Sequence, residues 1–467
     1  MAVDLPDDVP RPPFDFTAAD AALLDQVQLG AFRTMWRTCH PETGMVLDRS
    51  DATVVNVAGV GFQLSAICVG IERDWITREE GRARTLLILR SLRDHPDNRK
   101  EGMYYHFVDP KTGGPGIGGY ERVVSTIDTA LLLAGIATAS SYFGGEIARI
   151  GDGLIAETNW RFFLSGAEAV PHERGFISLG WKPLDPRQPT GEGELLPFHW
   201  IDSGDEHLLV YFMAIAAPID AHRVDPRVYY TLRRTLGEYQ DSGPMVWFPW
   251  SGALFTNFFA HCWIDYASIG IDDPRALDVP RRPRVDWWAN SYKTATMHRL
   301  KAIENEQDVP NLGPHAWGLT SSDSQGGYLV PALFPDPIPM PGARPDFDYA
   351  TERVPEKYGD GTIAPYGAGC AVMFTPRHSI AALRHYIALK NEDATPLVWD
   401  DPATGGEGFF DSFHEADGWV SPLRISIDQG PLVLAIENAR TGMVWDLFHR
   451  HPAVQAAMDR LKLERNR

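Results

Sequence analysis

Two stretches of this chain, residues 56–73 (NVAGVGFQLSAICVGIER) and 125–143 (STIDTALLLAGIATASSYF), are helical by spacing yet have no polar face. In the first, Val57, Val60, Leu64, Ile67 and Ile71 recur at helical intervals. Its other side is small: Ala58, Gly59, Gly61, Ala66 and Gly70. A helix without a wet side is buried among neighbours, and small residues let the backbones of those neighbours approach. Between the two lies TREEGRARTLLILRSLRD (77–94), which opens with a Thr77–Glu80 capping box and is amphipathic, so it belongs outside. The alternation continues. Segment 145–164 is more polar, 205–217 apolar, 226–238 amphipathic and 251–268 aromatic and apolar. Helical patterns recur at about 283–306, 376–391, 429–439 and 452–463.

Inner-type and outer-type helices therefore alternate, and each pair with its loop takes roughly 60–80 residues. Strands are few; YYHFVDPKTGG (104–114) reads as a short strand and turn. This excludes doubly wound sheets and TIM barrels, which need regular strands, and is too long per unit for tetratricopeptide-like arrays. The economical architecture is all-α: an (α/α)6 toroid over residues 17–467, after an extended segment 1–16. Long aromatic-rich loops and a few short strands would gather at one mouth.

A formal net charge of −19 argues against a nucleic-acid groove. The N-terminal MAVDLPDDVPRPPFDF lacks the basic and apolar regions of a secretory signal, and no apolar run is long enough to span a membrane. Four scattered cysteines form no C-x-x-C pair. The expectation is a cytoplasmic protein with buried thiols. Fourteen tryptophans are the unusual feature. Many, including Trp181, Trp200, Trp247, Trp250 and Trp317, lie in Gly/Pro-rich segments, where flat faces line clefts.

One carboxylate, Asp128, stands a turn inside the apolar run 125–143. Ser125 and Asp128 form the S-x-x-D capping pattern, and Ser203 and Glu206 repeat it before 205–217. Both acids could simply cap helices. They could also act, because both helices are of the inner type and each follows Gly/aromatic-rich chain, GIGGYERVV and PFHWIDSGD. That brings Glu121, Asp202 and Asp205 into the same neighbourhood. Several carboxylates in an aromatic cleft suit glycoside hydrolysis, in which one acid protonates the leaving oxygen and another activates water or attacks carbon. A carboxylate in the first helical turn is favoured as the anion. Asp128 and Glu206 would then be base or nucleophile, unless desolvation or a neighbouring anion raises a pKa, and Glu121 the proton donor. Phosphate-loop, nucleophile-elbow and zincin motifs are absent, and the 59–64 stretch GVGFQL lacks the third glycine of a dinucleotide loop and follows no strand. Histidines 106, 199, 207, 261, 298 and 315 are scattered and read as hydrogen-bonded structural or cleft residues. No metal and no cofactor is expected.

The blocks ERVVSTIDTALLLAG, GDEHLLVYFMAIAAP, HCWIDY, WWANSYKTA, HAWGLTSSD, GTIAPYGAGCAV and IDQGPLVLAIENARTGMVW follow one another in order. Over residues 20–450 the chain resembles the bacterial glucoamylase-like family of (α/α)6 toroids. The resemblance implies β-1,2-glucans or their oligosaccharides as substrate, cleaved by an inverting hydrolase. A retaining transglycosylase and a non-catalytic glycan-binding protein are the alternatives. It places Glu121, Asp128 and Glu206 in the cleft as catalytic acids. Trp181, Asp205, Trp250, His261, Trp317, Tyr366 and Gln429 would contact sugar, with Asp428 leading into the same helix as Gln429. Glu437 and Asn438 are expected to pair structurally. The expected partner is an oligosaccharide, with the chain a monomer or homodimer.

Overall fold

The computed structural model describes residues 9–116, 122–237, 243–246, 253–307, 309–328 and 361–466. Fourteen α-helices occur among them. The first seven are α1 (Ala18–Arg37), α2 (Val57–Glu72), α3 (Arg78–Asp94), α4 (Thr126–Phe143), α5 (Gly145–Glu157), α6 (Asp205–Ala216) and α7 (Arg227–Thr231). They are followed by α8 (Tyr266–Ile269), α9 (Trp287–Glu304), α10 (Pro365–Cys370), α11 (Pro376–Ala388), α12 (Ser426–Arg440), α13 (Met443–Arg450) and α14 (Pro452–Leu461).

The helices that are apolar all round form the inner ring of an all-α toroid. Every residue of α2 from Val57 to Gly70 is buried, as is nearly all of α4 to Ser140. Neighbours around the ring run α6, α4, α2, α12, α10. The small face of α2 explains how closely it meets α4. A Cβ on Gly135 would lie 1.9 Å from the Gly61 carbonyl oxygen, and one on Gly61 would lie 2.2 Å from that of Leu131. Amphipathic helices cover the ring, with α3 on α2 and α5, α5 on α4, α1 on α12 and α2, and α11 on α10. The Thr77–Glu80 capping box is formed as expected.

Two expected helices are replaced. Segment 251–268 is not a continuous helix. Its described part, from 253, makes 3-10 turns at Leu254–Asn257 and Ala260–Cys262 and the single turn α8, and it crosses the ring. Trp263 donates to Ser65 of α2 (2.9 Å) and packs on Phe62, while Asn438 of α12 donates to the Cys262 carbonyl (2.9 Å). Segment 226–238, as far as it is described (to 237), is helical only at α7. Beyond it Arg233 and Arg234 are drawn into ion pairs with Asp202 and Asp272, so tertiary charge pairing overrides local helix propensity.

The N-terminal ends of α2, α4, α6 and α12 open at one mouth. Asn56, the N-cap of α2, touches His106, which faces Asp128 of α4. Ser426 at the start of α12 fills the space beside Gly59 at the start of α2. Short antiparallel strands stiffen this mouth: 55–56 with 107–108, and 124–125 with 180–183 and 193–195. The opposite end is strapped by the N-terminal segment, where Phe14 N–H donates to Ala439 at the end of α12 (3.0 Å) and Arg11 pairs with Asp286 (2.5 Å). All four thiols are free, and no described helix is long and apolar enough to cross a membrane.

Candidate active site at the helix mouth

Ser125 ends the strand 124–125 and caps α4, its Oγ accepting the Asp128 N–H at 3.3 Å. The return arm of the expected capping box differs. The Asp128 carboxylate takes the Ser125 hydroxyl, not the Ser125 backbone N–H. Asp128 is 6% exposed. Its other oxygen faces His106 Nε2 at 3.6 Å.

At α6 the expected Ser203–Glu206 capping box is absent. The helix begins at Asp205 with Gly204 as N-cap, and no side chain caps it. The entry is held in another way. Arg233 grips the Asp202 carboxylate with two bonds of 2.8 and 2.7 Å, the Ser203 N–H donates to the Arg233 carbonyl (2.8 Å), and His207 Nδ1–H donates to the Asp202 carbonyl (2.9 Å). These contacts relieve Glu206 of capping duty. Its side chain is 12% exposed, with Oε1 3.8 Å from His207 Nε2. Desolvation first, and then the charge of Asp128, push the Glu206 carboxyl up to about 8. Burial pushes His207 down to about 4, so it brings no compensating positive charge at neutral pH. At neutral pH the Glu206 carboxyl therefore favours its protonated form. Desolvation outweighs the helix terminus here, which is the exception the sequence argument leaves open. Trp200, whose indole N–H donates to Thr126 of α4 (2.9 Å) and whose ring packs on His207 (4.3 Å), ties the starts of α4 and α6 together.

A second acidic group lies where α12 begins. Asp428 and Asp411 are each 1% exposed and lie against one another, with the Tyr366 hydroxyl beside Asp428. Asp411 accepts the Asp323 N–H (2.7 Å), and Asp323 accepts the Ser421 hydroxyl (2.7 Å). Burial raises both carboxyls, and at Asp428 the charge of Asp411 adds to the rise, so the pair retains a proton. Asp411 was invisible in sequence. It sits in an irregular segment, DSF, without periodicity or a motif, and only the fold brings it to Asp428.

The other expected contacts divide. Glu121 and Trp250 lie outside the described residues. Asp205 opens α6. Trp181 is 1% exposed, its ring covered by Lys100 (5.0 Å) and the Gly193 backbone, so it belongs to the core beneath the three-stranded sheet and offers no face to a ligand. His261 is likewise a core residue. It is fully buried, bonded to Ser291 (2.9 Å), ringed by Tyr266, Trp288 and Phe374, and pushed down to about 3 by burial. Trp317 is fully buried under Tyr386. Tyr366 and Gln429 are 2% exposed and stand beside the second acidic group. Glu437 pairs with Arg73 (2.8 Å) and Asn438 with Cys262, as structural residues.

A family model described as "Putative glucoamylase" matches residues 198–452. An exo β-1,2-glucooligosaccharide sophorohydrolase (non-reducing end) of Parabacteroides distasonis is 28% identical over 96% of this chain, which spans 58% of that protein's length. A crystal structure of a β-1,2-glucanase from Parabacteroides distasonis superposes with a TM-score of 0.75 at 25% identity, covering 96% of this chain and 60% of that one. A glucoamylase-like structure from Bacteroides uniformis gives 0.76 at 26% identity, covering 97% and 99%. The family match takes in α6, the Tyr366 helix, the Asp411–Asp428 pair and all of α12, and on it the chain belongs to the glucoamylase-like family.

Proposed function

We propose that the protein is a glycoside hydrolase that cleaves β-1,2-linked glucooligosaccharides, with Glu206 as the proton donor. One arrangement carries the chemistry: a largely buried carboxyl at the mouth of the ring, whose proton affinity desolvation and the neighbouring Asp128 raise. Cleaving a glycosidic bond needs a proton on the leaving oxygen, and an acid still protonated at neutral pH supplies it. In the inverting reading, Glu206 transfers its proton to that oxygen. Water attacks the anomeric carbon from the opposite face and gives its proton to Asp128. The substrate class is supported by the names of the β-1,2-glucan-active relatives. Free, mostly buried thiols fit work in a reducing compartment such as the cytoplasm.

The test is incubation with β-1,2-, β-1,3-, β-1,4- and α-1,4-linked glucooligosaccharides of increasing length. Products are resolved by chromatography, and the first-formed anomer is read by NMR. Cleavage of the β-1,2 series with inversion is expected. Retention with transfer products would make the enzyme a transglycosylase, and no turnover of any β-glucan would remove the hydrolase reading.

A further inference from the structure

His106 stands between the caps of α2 and α4, and its surroundings fix where its proton resides. Asn56 caps α2 by accepting the Ala58 N–H on its side-chain oxygen (2.9 Å). With the oxygen committed to the cap, the amide –NH2 is what faces His106 Nε2, at 3.3 Å. That group only donates, so Nε2 presents its lone pair, and the proton of the neutral ring is on Nδ1. The carboxylate of Asp128 alone would draw a proton to Nε2, but it stands 3.6 Å away, beyond hydrogen-bonding distance, and takes the Ser125 hydroxyl on its other oxygen, so the nearer Asn56 donor sets the tautomer. The backbone of His106 and one face of its ring are held. The His106 N–H donates to Val123 (2.8 Å), its carbonyl accepts the Val57 N–H (3.1 Å), and the imidazole stacks on Phe107 with centroids 3.9 Å apart. Among the described residues Nδ1 meets no protein acceptor, and the side chain is 29% exposed, unlike Asp128. A fixed, partly exposed N–H donor at the lip of an acid pair is suited to an uncharged hydroxyl.

We propose that His106 is a substrate-binding residue: Asn56 holds it as the Nδ1–H imidazole, and that N–H donates to a hydroxyl of the neutral sugar unit lying over Asp128. Asn56 is then a positioning residue that acts through the tautomer. The proposal rests on the hydrolase reading for the identity of the sugar, but the tautomer does not.

The experiment uses the full chain labelled with 15N-histidine. Wild type at pH 7 is expected to show His106 protonated on Nδ1 and bare on Nε2. Asn56→Asp preserves the cap, since aspartate caps as well as asparagine, but places an acceptor against Nε2 and should move a proton there. Addition of a β-1,2-glucooligosaccharide to Glu206→Gln should shift the Nδ1 resonance, a contact read without turnover. His106→Asn keeps a donor near the Nδ1 position, whereas His106→Gln offers one only near Nε2. KM should therefore rise about tenfold in His106→Gln, the loss of one hydrogen bond, and less than threefold in His106→Asn. Nε2 protonation in wild type, an unmoved Nδ1 resonance, or an unchanged KM in His106→Gln overturns the proposal. A wild type that cleaves no β-1,2-glucooligosaccharide overturns the hydrolase reading instead and leaves the tautomer result standing.

Discussion

Asp128 and Glu206 stand in the first turns of two neighbouring inner helices, and the charge of the first raises the proton affinity of the second. Sequence places them far apart. The ring brings them together because α4 and α6 are adjacent and point the same way. The same patterning that makes both helices apolar all round removes the water that would otherwise lower the pKa of Glu206.

Removing the charge of Asp128 should move the alkaline limb of activity. In wild type the limb of kcat/KM set by Glu206 is expected near pH 8, where the acid loses its proton. In Asp128→Asn that limb should shift toward lower pH. It should stay above the ordinary glutamate range, because desolvation, the larger cause, remains. The height of the profile should fall by about 10²–10⁴ if Asp128 is the base. A pH–rate profile of the variant checks both, and an unmoved limb would separate the two residues.

Glu206 should cost stability at alkaline pH. Its folded pKa lies above its unfolded value of 4.5. Below that value both states are protonated and nothing is lost. As pH rises toward about 8, the unfolded chain releases the proton while the folded protein holds it, so the native state weakens. Glu206→Gln has no such proton. Its melting temperature should match wild type at pH 4 and exceed it increasingly up to pH 8.5. Parallel curves for the two proteins would contradict the burial of an ionisable acid here.

The Asp411–Asp428 pair should tolerate amide but not truncation. Asp428→Asn imitates the protonated form and cannot ionise beside Asp411, so stability at pH 8 should equal or exceed wild type. Asp428→Ala leaves polar neighbours such as Tyr366 and Asp411 around a void and should cost about 1–3 kcal/mol. Chemical denaturation of both variants at pH 6 and 8 checks the contrast.

Gly135→Ala should damage both fold and site. The added methyl would meet the Gly61 carbonyl at 1.9 Å, so α2 and α4 must part. Overpacking of this kind costs about 1–3 kcal/mol or more. Because Asn56 and His106 belong to the α2 side and Asp128 to α4, the surviving folded fraction should also lose turnover. Denaturation midpoints and kcat measured on the same sample test the linkage.

The ring was legible because its signal is local. Helices without a polar face, and the small residues of 58–70, announce close packing through their spacing alone. The broken 253–269 segment was not legible, since its aromatic residues satisfy a helical pattern and only contacts with Ser65, Asn438 and Trp445 explain the turns. At the site, Asp128 and Glu206 stood out as charges in apolar runs. Their roles did not, because a capping box and a desolvated acid look alike in sequence. Trp181 misled for a related reason: an aromatic in a Gly-rich loop reads as cleft wall unless the loop itself folds over it, and for His261 the reading as a hydrogen-bonded structural histidine, not the sugar contact implied by the resemblance, is the one its surroundings fit. Asp411 carried no signal, since its partner is brought to it by tertiary structure alone.

The most direct measurement is Glu206→Gln beside wild type on the same β-1,2-glucooligosaccharide, with hydrolysis followed by chromatography and binding by calorimetry. The account predicts that wild type cleaves it, and that the variant binds with similar affinity but loses about 10²–10⁴ in kcat. A variant that cleaves as fast as wild type would show that the proton comes from elsewhere.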